Sequence, residues 1–204
     1  MTYRGELVGV IVYKYPVVRS QGRREAVGYW PDVSELNRDW ALISRVIVHP
    51  KYRGIGLGSR LISETMLMQG RRHVELVAVM ALYSPFAERA GMRLVRRTLP
   101  DSGVLKAVDM LHGLGFDPCR MASRRYNRIV LGKVDLGNVF DAFEPIHGGL
   151  MIRRLMRKTG LGSSKADFSR WLAAQDLDSL AWVIQSLSVL SQSKAYLYWC
   201  RDWA

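Results

Sequence analysis

Val46-Ile47-Val48-His49-Pro50-Lys51-Tyr52-Arg53-Gly54-Ile55-Gly56-Leu57-Gly58 joins the end of a buried-strand pattern to a glycine-rich helix start. Upstream, Leu42 to Val48 is apolar and β-branched apart from Ser44-Arg45, which predicts an interior strand. Pro50 donates no N–H and turns His49 away from helical angles, so the strand is expected to stop there. From Gly56 the period becomes helical: Leu57, Leu61, Ile62, Thr65 and Met66 share one face up to Gln69. Arg53 to Gly58 therefore occupies a strand-to-helix turn, where small residues let backbone N–H groups and the positive helix end approach an anion. Either this turn holds a phosphate, with Arg53 adding a cation, or its glycines serve turn geometry alone. It lacks the Gly-Lys-Ser/Thr ending of a nucleotide P-loop and departs from the dinucleotide fingerprint.

A second block follows. Glu75-Leu76-Val77-Ala78-Val79 reads as another buried strand, Tyr83 to Ala90 as a short helix, and Gly91 as its C-cap ahead of Met92. Arg53 to Gly58 resembles the Arg/Gln-x-x-Gly-x-Gly/Ala motif of the GCN5-related N-acetyltransferase (GNAT) superfamily. The strand, short helix and Gly91-Met92 are similar to that superfamily's usual continuation. This resemblance implies an α/β fold of the α+β type, with a mixed, mainly antiparallel sheet and flanking helices. It implies acetyl-coenzyme A lying between two central parallel strands that splay apart. Backbone groups at Ile47 and Val48 would bond the pantetheine arm, and the pyrophosphate would sit over Arg53, Gly54, Ile55, Gly56, Leu57 and Gly58. The implied activity is direct acetyl transfer to an amine, with an oxyanion donor, a base or water relay, and an acid for the leaving thiolate.

Catalytic residues carry weaker signals. Many members have a Tyr four residues before the second-block glycine, but Ala87 stands there; Tyr83 and Ser84 are the nearby hydroxyls. Each also has a plain reading, Ser84 as a helix-start residue and Tyr83 as an amphipathic surface group. Relatives often carry acidic residues on the strand before Val48, whereas this chain has Ser44 and Arg45, and an Arg is no base. His49 lies at the strand end and is a residue type suited to proton transfer, although a loop or packing role is its stronger reading. Glu75 and Asp39 are the remaining candidates for a base, or ordinary hydrogen-bonding groups. A noncatalytic member is the competing account.

At the amino end, Glu6 to Tyr15 predicts a strand, Pro16 to Arg24 a basic loop, and Glu25 to Trp30 a short paired strand. The superfamily's usual first strand and two helices have no room before Glu6. Trp30 to Trp40 is polar at its centre and aromatic at both ends, as suits a connector pinned by two tryptophans or a wall around the acceptor. Glu6 to Met92 resembles the acetyltransferase-like domain found attached to an ABC-type ATPase in some archaeal proteins and also occurring in related free-standing proteins, so a larger partner protein is one account that the resemblance opens. No ATPase motif is present, so ATP hydrolysis is not implied.

Arg93 to Leu99 predicts a further strand and Val104 to Leu114 a helix stopping near Gly115. From Cys119 the pattern is mainly helical. Leu136 to Lys158 divides at Pro145 and Gly148-Gly149, a short helix starts at Asp167 or Ser169, and a longer one capped by Asp178 or Ser179 runs to Leu190. Tyr196 to Trp203 reads as a final strand or an aromatic clasp. The expected division is a GNAT-like domain over residues 1–118 and a mainly helical extension over 119–204.

With only Cys119, Cys200 and four dispersed histidines, neither a disulfide framework nor a metal centre is expected. No uninterrupted apolar segment reaches membrane-spanning length and no secretory signal opens the chain, so a cytoplasmic location without a membrane is expected. The formal charge of +12 points to polyanions. Arg19, Arg23 and Arg24 form one basic cluster, Arg120, Arg124, Arg125 and Arg128 a second, and Arg153, Arg154, Arg157 and Lys158 a third. With Tyr126 beside the second, these suit a nucleic acid or an acidic protein, or they serve solubility.

Overall fold

A computed structural model describes residues 1–147, 149–156 and 164–203. In chain order the elements are β1 (Thr2–Tyr3), β2 (Glu6–Leu7), β3 (Gly9–Lys14), α1 (Gln21–Val27), α2 (Val33–Asp39), β4 (Trp40–Val48), α3 (Leu57–Met68), β5 (His73–Ala78) and β6 (Arg93–Thr98). They continue with α4 (Ser102–Gly113), α5 (Arg124–Leu131), α6 (Leu136–Asp141), α7 (Gly149–Met156), α8 (Lys165–Ala173), α9 (Leu177–Leu190) and β7 (Lys194–Cys200).

The apolar run before His49 forms β4 as expected, and it sits inside a five-stranded sheet of order β3-β4-β5-β7-β6. Only β4 and β5 pair in parallel; the other three pairings are antiparallel, so the expected mixed, mainly antiparallel sheet is borne out. One face carries Ile43, Val74, Leu76 and Leu197 against Ile62 and Met66 of α3. The other carries Trp40, Tyr196 and Tyr198 against Leu36 of α2, with Ala26 and Val27 of α1 alongside.

Two local expectations are corrected. Glu25 to Trp30 is not a strand: Gln21–Val27 is helical and Gly28 closes it in the left-handed region at φ +85°. Arg, Glu and Ala favour a helix, and Gly28 supplies the C-cap. Tyr83 to Ala90 is not a continuous helix either. Pro85 interrupts it, leaving single 3₁₀ turns at Met80–Leu82 and Glu88–Ala90, the second closed by Gly91 at φ +94°. The connector after Trp30 is mostly α2, whose Asp32 cap accepts the Glu35 N–H at 2.8 Å.

The chain forms two compact units, Met1–Leu99 with Ser193–Ala204, and Pro100–Gln192. The expected boundary at 118 therefore moves to 99, and the last residues return to the sheet. Tyr196 to Trp203 resolves as interior strand β7 followed by a 3₁₀ turn, because alternate tyrosines and apolar residues fill both sheet faces. The second unit is helical around a core that includes Val104, Leu111, Phe116, Leu131, Phe168 and Leu187. There Ser164 caps α8 and Asp176 caps α9, each a few residues ahead of the expected cap. Arg157 and Lys158 of the third basic cluster lie outside the described residues.

Candidate functional site

The parallel β4–β5 pairing runs from Trp40↔His73 to Ile43↔Leu76 and goes no further, so Ser44–Val48 keep β3 on one side and leave the other edge without a strand. At the same point the β3–β4 register slips: Val12 faces Arg45 and Tyr13 faces Ile43, which makes Ser44 an extra residue, a β-bulge. The strands thus part where the sequence turns polar at Ser44-Arg45. Beyond Val48, His49 accepts the Lys51 N–H on Nδ1 at 3.3 Å and so caps a 3₁₀ turn over Pro50–Tyr52.

Gly54 and Gly56 adopt φ +87° and +88°, and an added Cβ at either would have nothing within 4 Å. Their glycine requirement is therefore backbone conformation combined with open space in front of them. Gly56 caps α3 without a side-chain hydrogen bond, so the first-turn N–H groups have no capping partner. Arg53 donates Nε to the Val48 carbonyl at 3.0 Å, which holds the guanidinium beside the loop.

A cavity of about 160 Å³ opens over this turn. Of the expected cofactor residues, Val48, Arg53, Gly54, Gly56, Leu57 and Gly58 line it, and so does Ser84. Tyr52, Ser59, Phe86 and Arg89 complete the wall; sequence reasoning missed them. Arg89 reaches the loop because Pro85 breaks the expected helix and a tight turn follows, with Arg89 N–H on the Pro85 carbonyl at 2.9 Å. Its sequence signal was a cation two residues before the capping Gly91. Ile47 and Ile55 do not line this cavity; their side chains are half-exposed and exposed, and Ile55 faces a neighbouring recess with Tyr52 and Leu57.

The other expected catalytic groups do not converge here. Tyr83 is 76% exposed and outside the cavity wall. Glu75 is 1% exposed and fully engaged. Its Oε1 accepts Arg23 Nη2 at 2.7 Å, while Oε2 accepts Arg23 Nε at 3.1 Å and the Tyr196 hydroxyl at 2.5 Å. Burial, then the Glu75 charge, pushes the Tyr196 phenol far above its ordinary range. Glu75 is thus a structural anchor for α1, and not a free base. Asp39 is likewise committed, to Arg38 at 2.8 Å.

Among the described residues no cluster of three or more His, Cys, Asp or Glu could hold a metal ion, and no helix is long and apolar enough to cross a membrane. The family model described as Acetyltransferase (GNAT) family matches residues 1–83, which covers β1 to β5 and the glycine turn. No curated protein and no solved structure matches the chain. The family match supports acetyltransferase activity in general terms for the matched residues 1–83.

Proposed function

We propose that the sheet unit is an N-acetyltransferase that takes acetyl-coenzyme A as donor and an amine as acceptor. The observation that carries this reading is the glycine turn at the start of α3, with Gly54 and Gly56 in left-handed conformations and Arg53 and Arg89 in the same cavity wall, at the end of the β4 segment that has left β5. Open space in front of both glycines, uncapped helix N–H groups and two guanidiniums suit a pyrophosphate. The unpaired edge of Ser44–Val48 offers backbone groups to an extended amide-bearing arm.

When bound, acetyl-coenzyme A supplies an activated thioester carbonyl and a thiolate leaving group. The chain's own part is to hold the donor through Arg53, Arg89 and the Leu57, Gly58 and Ser59 N–H groups, and to offer a proton from Ser84 at its hydroxyl. Glu75 and Asp39 are held by arginines, and the strand before the turn carries Ser44 and Arg45, so the acceptor nitrogen is best served by arriving uncharged. The transfer rate should then rise with pH along the acceptor's own titration.

Calorimetry of the folded chain with acetyl-coenzyme A, and coenzyme A for comparison, tests the donor site. Saturable binding is expected, with a loss of roughly tenfold or more in Gly56→Glu, which sets a carboxylate against the pyrophosphate. Unchanged affinity in a folded Gly56→Glu protein would overturn the assignment. For Ser84→Ala a fall in kcat with KM held is expected; an unchanged kcat removes Ser84 from the proton path and leaves the donor site standing.

A further inference from the structure

The inserted helical unit carries its own cleft. In α5, Asn127 and Leu131 are buried, whereas Arg124, Arg125, Arg128 and Ile129 are all exposed. These four with Asp178 line a cavity of about 620 Å³. Asp178 sits in the first turn of α9 and fixes two of the arginines. Its carboxylate accepts Arg124 Nη2 at 2.6 Å and Arg128 Nη1 at 3.5 Å, and its carbonyl accepts Arg124 Nε at 3.2 Å. One carboxylate against three guanidiniums leaves an excess of positive charge, with Arg124 and Arg128 held in place in advance.

Beside it lies a smaller recess of about 190 Å³ that shares Arg124 and is lined by Met156, Trp171, Gln175, Ser179 and Trp182. Trp171 and Trp182 are partly exposed, and Trp171 stacks on Phe168 with ring centroids 6.0 Å apart. Ahead of α5, Arg120 covers the ring of Tyr126 in its first turn, at 4.4 Å. Arg124 and Arg128 are one helical turn apart, roughly 6 Å along the axis, so a flexible chain of phosphates can meet both.

We propose that this unit binds a single strand of nucleic acid, with phosphates on Arg124, Arg125 and Arg128 and an unstacked base in the tryptophan-lined recess. Cations tracking a backbone beside aromatic side chains are the physical requirement for such binding. An acidic peptide would use the arginines and leave the recess without a planar occupant. The duplex form keeps its bases stacked and withholds them from the recess. This site does not depend on acetyl-coenzyme A.

The test uses the full chain, freed of nucleic acid, and a fluorescein-labelled oligouridylate of about 12 nucleotides, read by anisotropy between about 50 and 200 mM salt. Saturable binding is expected, with a log–log salt slope of about −2 for three neutralised phosphates. Arg125→Glu with Arg128→Glu should weaken it roughly tenfold or more and remove about 1.4 from the slope, with calorimetric binding of acetyl-coenzyme A unchanged. Arg97→Glu, an exposed cation on β6, should change it less than about twofold. Arg125→Ala, at a residue with no hydrogen bond or ion pair among the described residues, stands in if the double variant does not fold. The proposal is overturned by absent saturation, by equal losses in Arg97→Glu, or by duplex RNA or polyglutamate binding as tightly as the single strand.

Discussion

Glu75 illustrates how a residue's chemistry is decided by a partner far along the chain. A carboxylate in a strand beside the glycine turn reads as a base, but Arg23, fully buried and 5.2 Å from the Trp40 ring, takes both its oxygens. Glu75→Ala should cost roughly 3–5 kcal/mol in denaturant unfolding, because it strands a buried guanidinium. Replacing both partners, Arg23→Met with Glu75→Leu, should cost much less, and equal losses in the two proteins would refute the ion-pair account. His73 makes a second residue-scale prediction. Burial, helped by the Arg72 charge, depresses its pKa, and Nδ1 lies 2.7 Å from the Tyr198 hydroxyl. The folded state thus resists protonation: stability is full above the unfolded value of about 6.5 and falls as pH drops from there toward the folded pKa. A melting series from pH 8 to 5 should show that fall in the parent and a smaller one in His73→Phe. Neither role was legible in sequence, since both need partners brought in from distant elements, whereas Gly54 and Gly56 announced a glycine-dependent turn locally.

At the scale of elements, periodicity was enough where one face dominates and insufficient where tertiary contact decides. β4, α3 and β5 follow their apolar patterns closely. The helix α1 was obscured because its buried positions are Gly22 and Arg23, which no hydrophobic pattern marks. Gly22 is required by close approach: a Cβ there would fall 2.2 Å from Tyr196 Cγ, and that ring is tied through its hydroxyl to Glu75. Gly22→Ala should therefore lift α1 from the sheet and destabilise by about 1–3 kcal/mol or more. Gly113→Ala, with nothing within 4 Å of the new methyl at the end of α4, should be neutral or stabilising by up to about 1 kcal/mol. Urea titrations of the two proteins give opposite signs if packing decides, and the same sign if glycine flexibility alone does. The turn after β5 teaches the same lesson from the other side: Pro85 outweighed the apolar rhythm of Tyr83 to Ala90, and that break is what brings Arg89 to the cavity.

For the whole molecule, the consequential feature is that β7 lies between β5 and β6 although Pro100–Gln192 separates it from β6 in the chain. A sequence boundary could not reveal this, because a terminal strand looks alike whether it extends an appendage or completes an earlier sheet. Charge follows the same division: the sheet unit holds 18 Lys and Arg against 9 Asp and Glu, a formal +9 of the chain's +12, so it dominates long-range attraction of a polyanionic donor. Thr98 and Lys194 are register partners at the end of the β6–β7 ladder, so the two ends of the inserted unit leave neighbouring strands. Replacing Pro100–Gln192 by Asn-Gly should consequently convert β6 and β7 into a direct hairpin, since such a turn matches the twist of antiparallel strands. The shortened protein should melt cooperatively and keep its acetyl-coenzyme A affinity, and it should lose the oligouridylate binding. Ending the chain at Gln192 instead removes the central strand that pairs with both β5 and β6, exposing Leu76, Leu94 and their neighbours, and should give an aggregation-prone product that does not bind acetyl-coenzyme A. If the chain ending at Gln192 melts cooperatively and binds acetyl-coenzyme A, β7 is dispensable and the sheet closes without it. If the hairpin protein fails while the full chain binds, the inserted unit is needed to fold the sheet, and the two units are one cooperative body in solution.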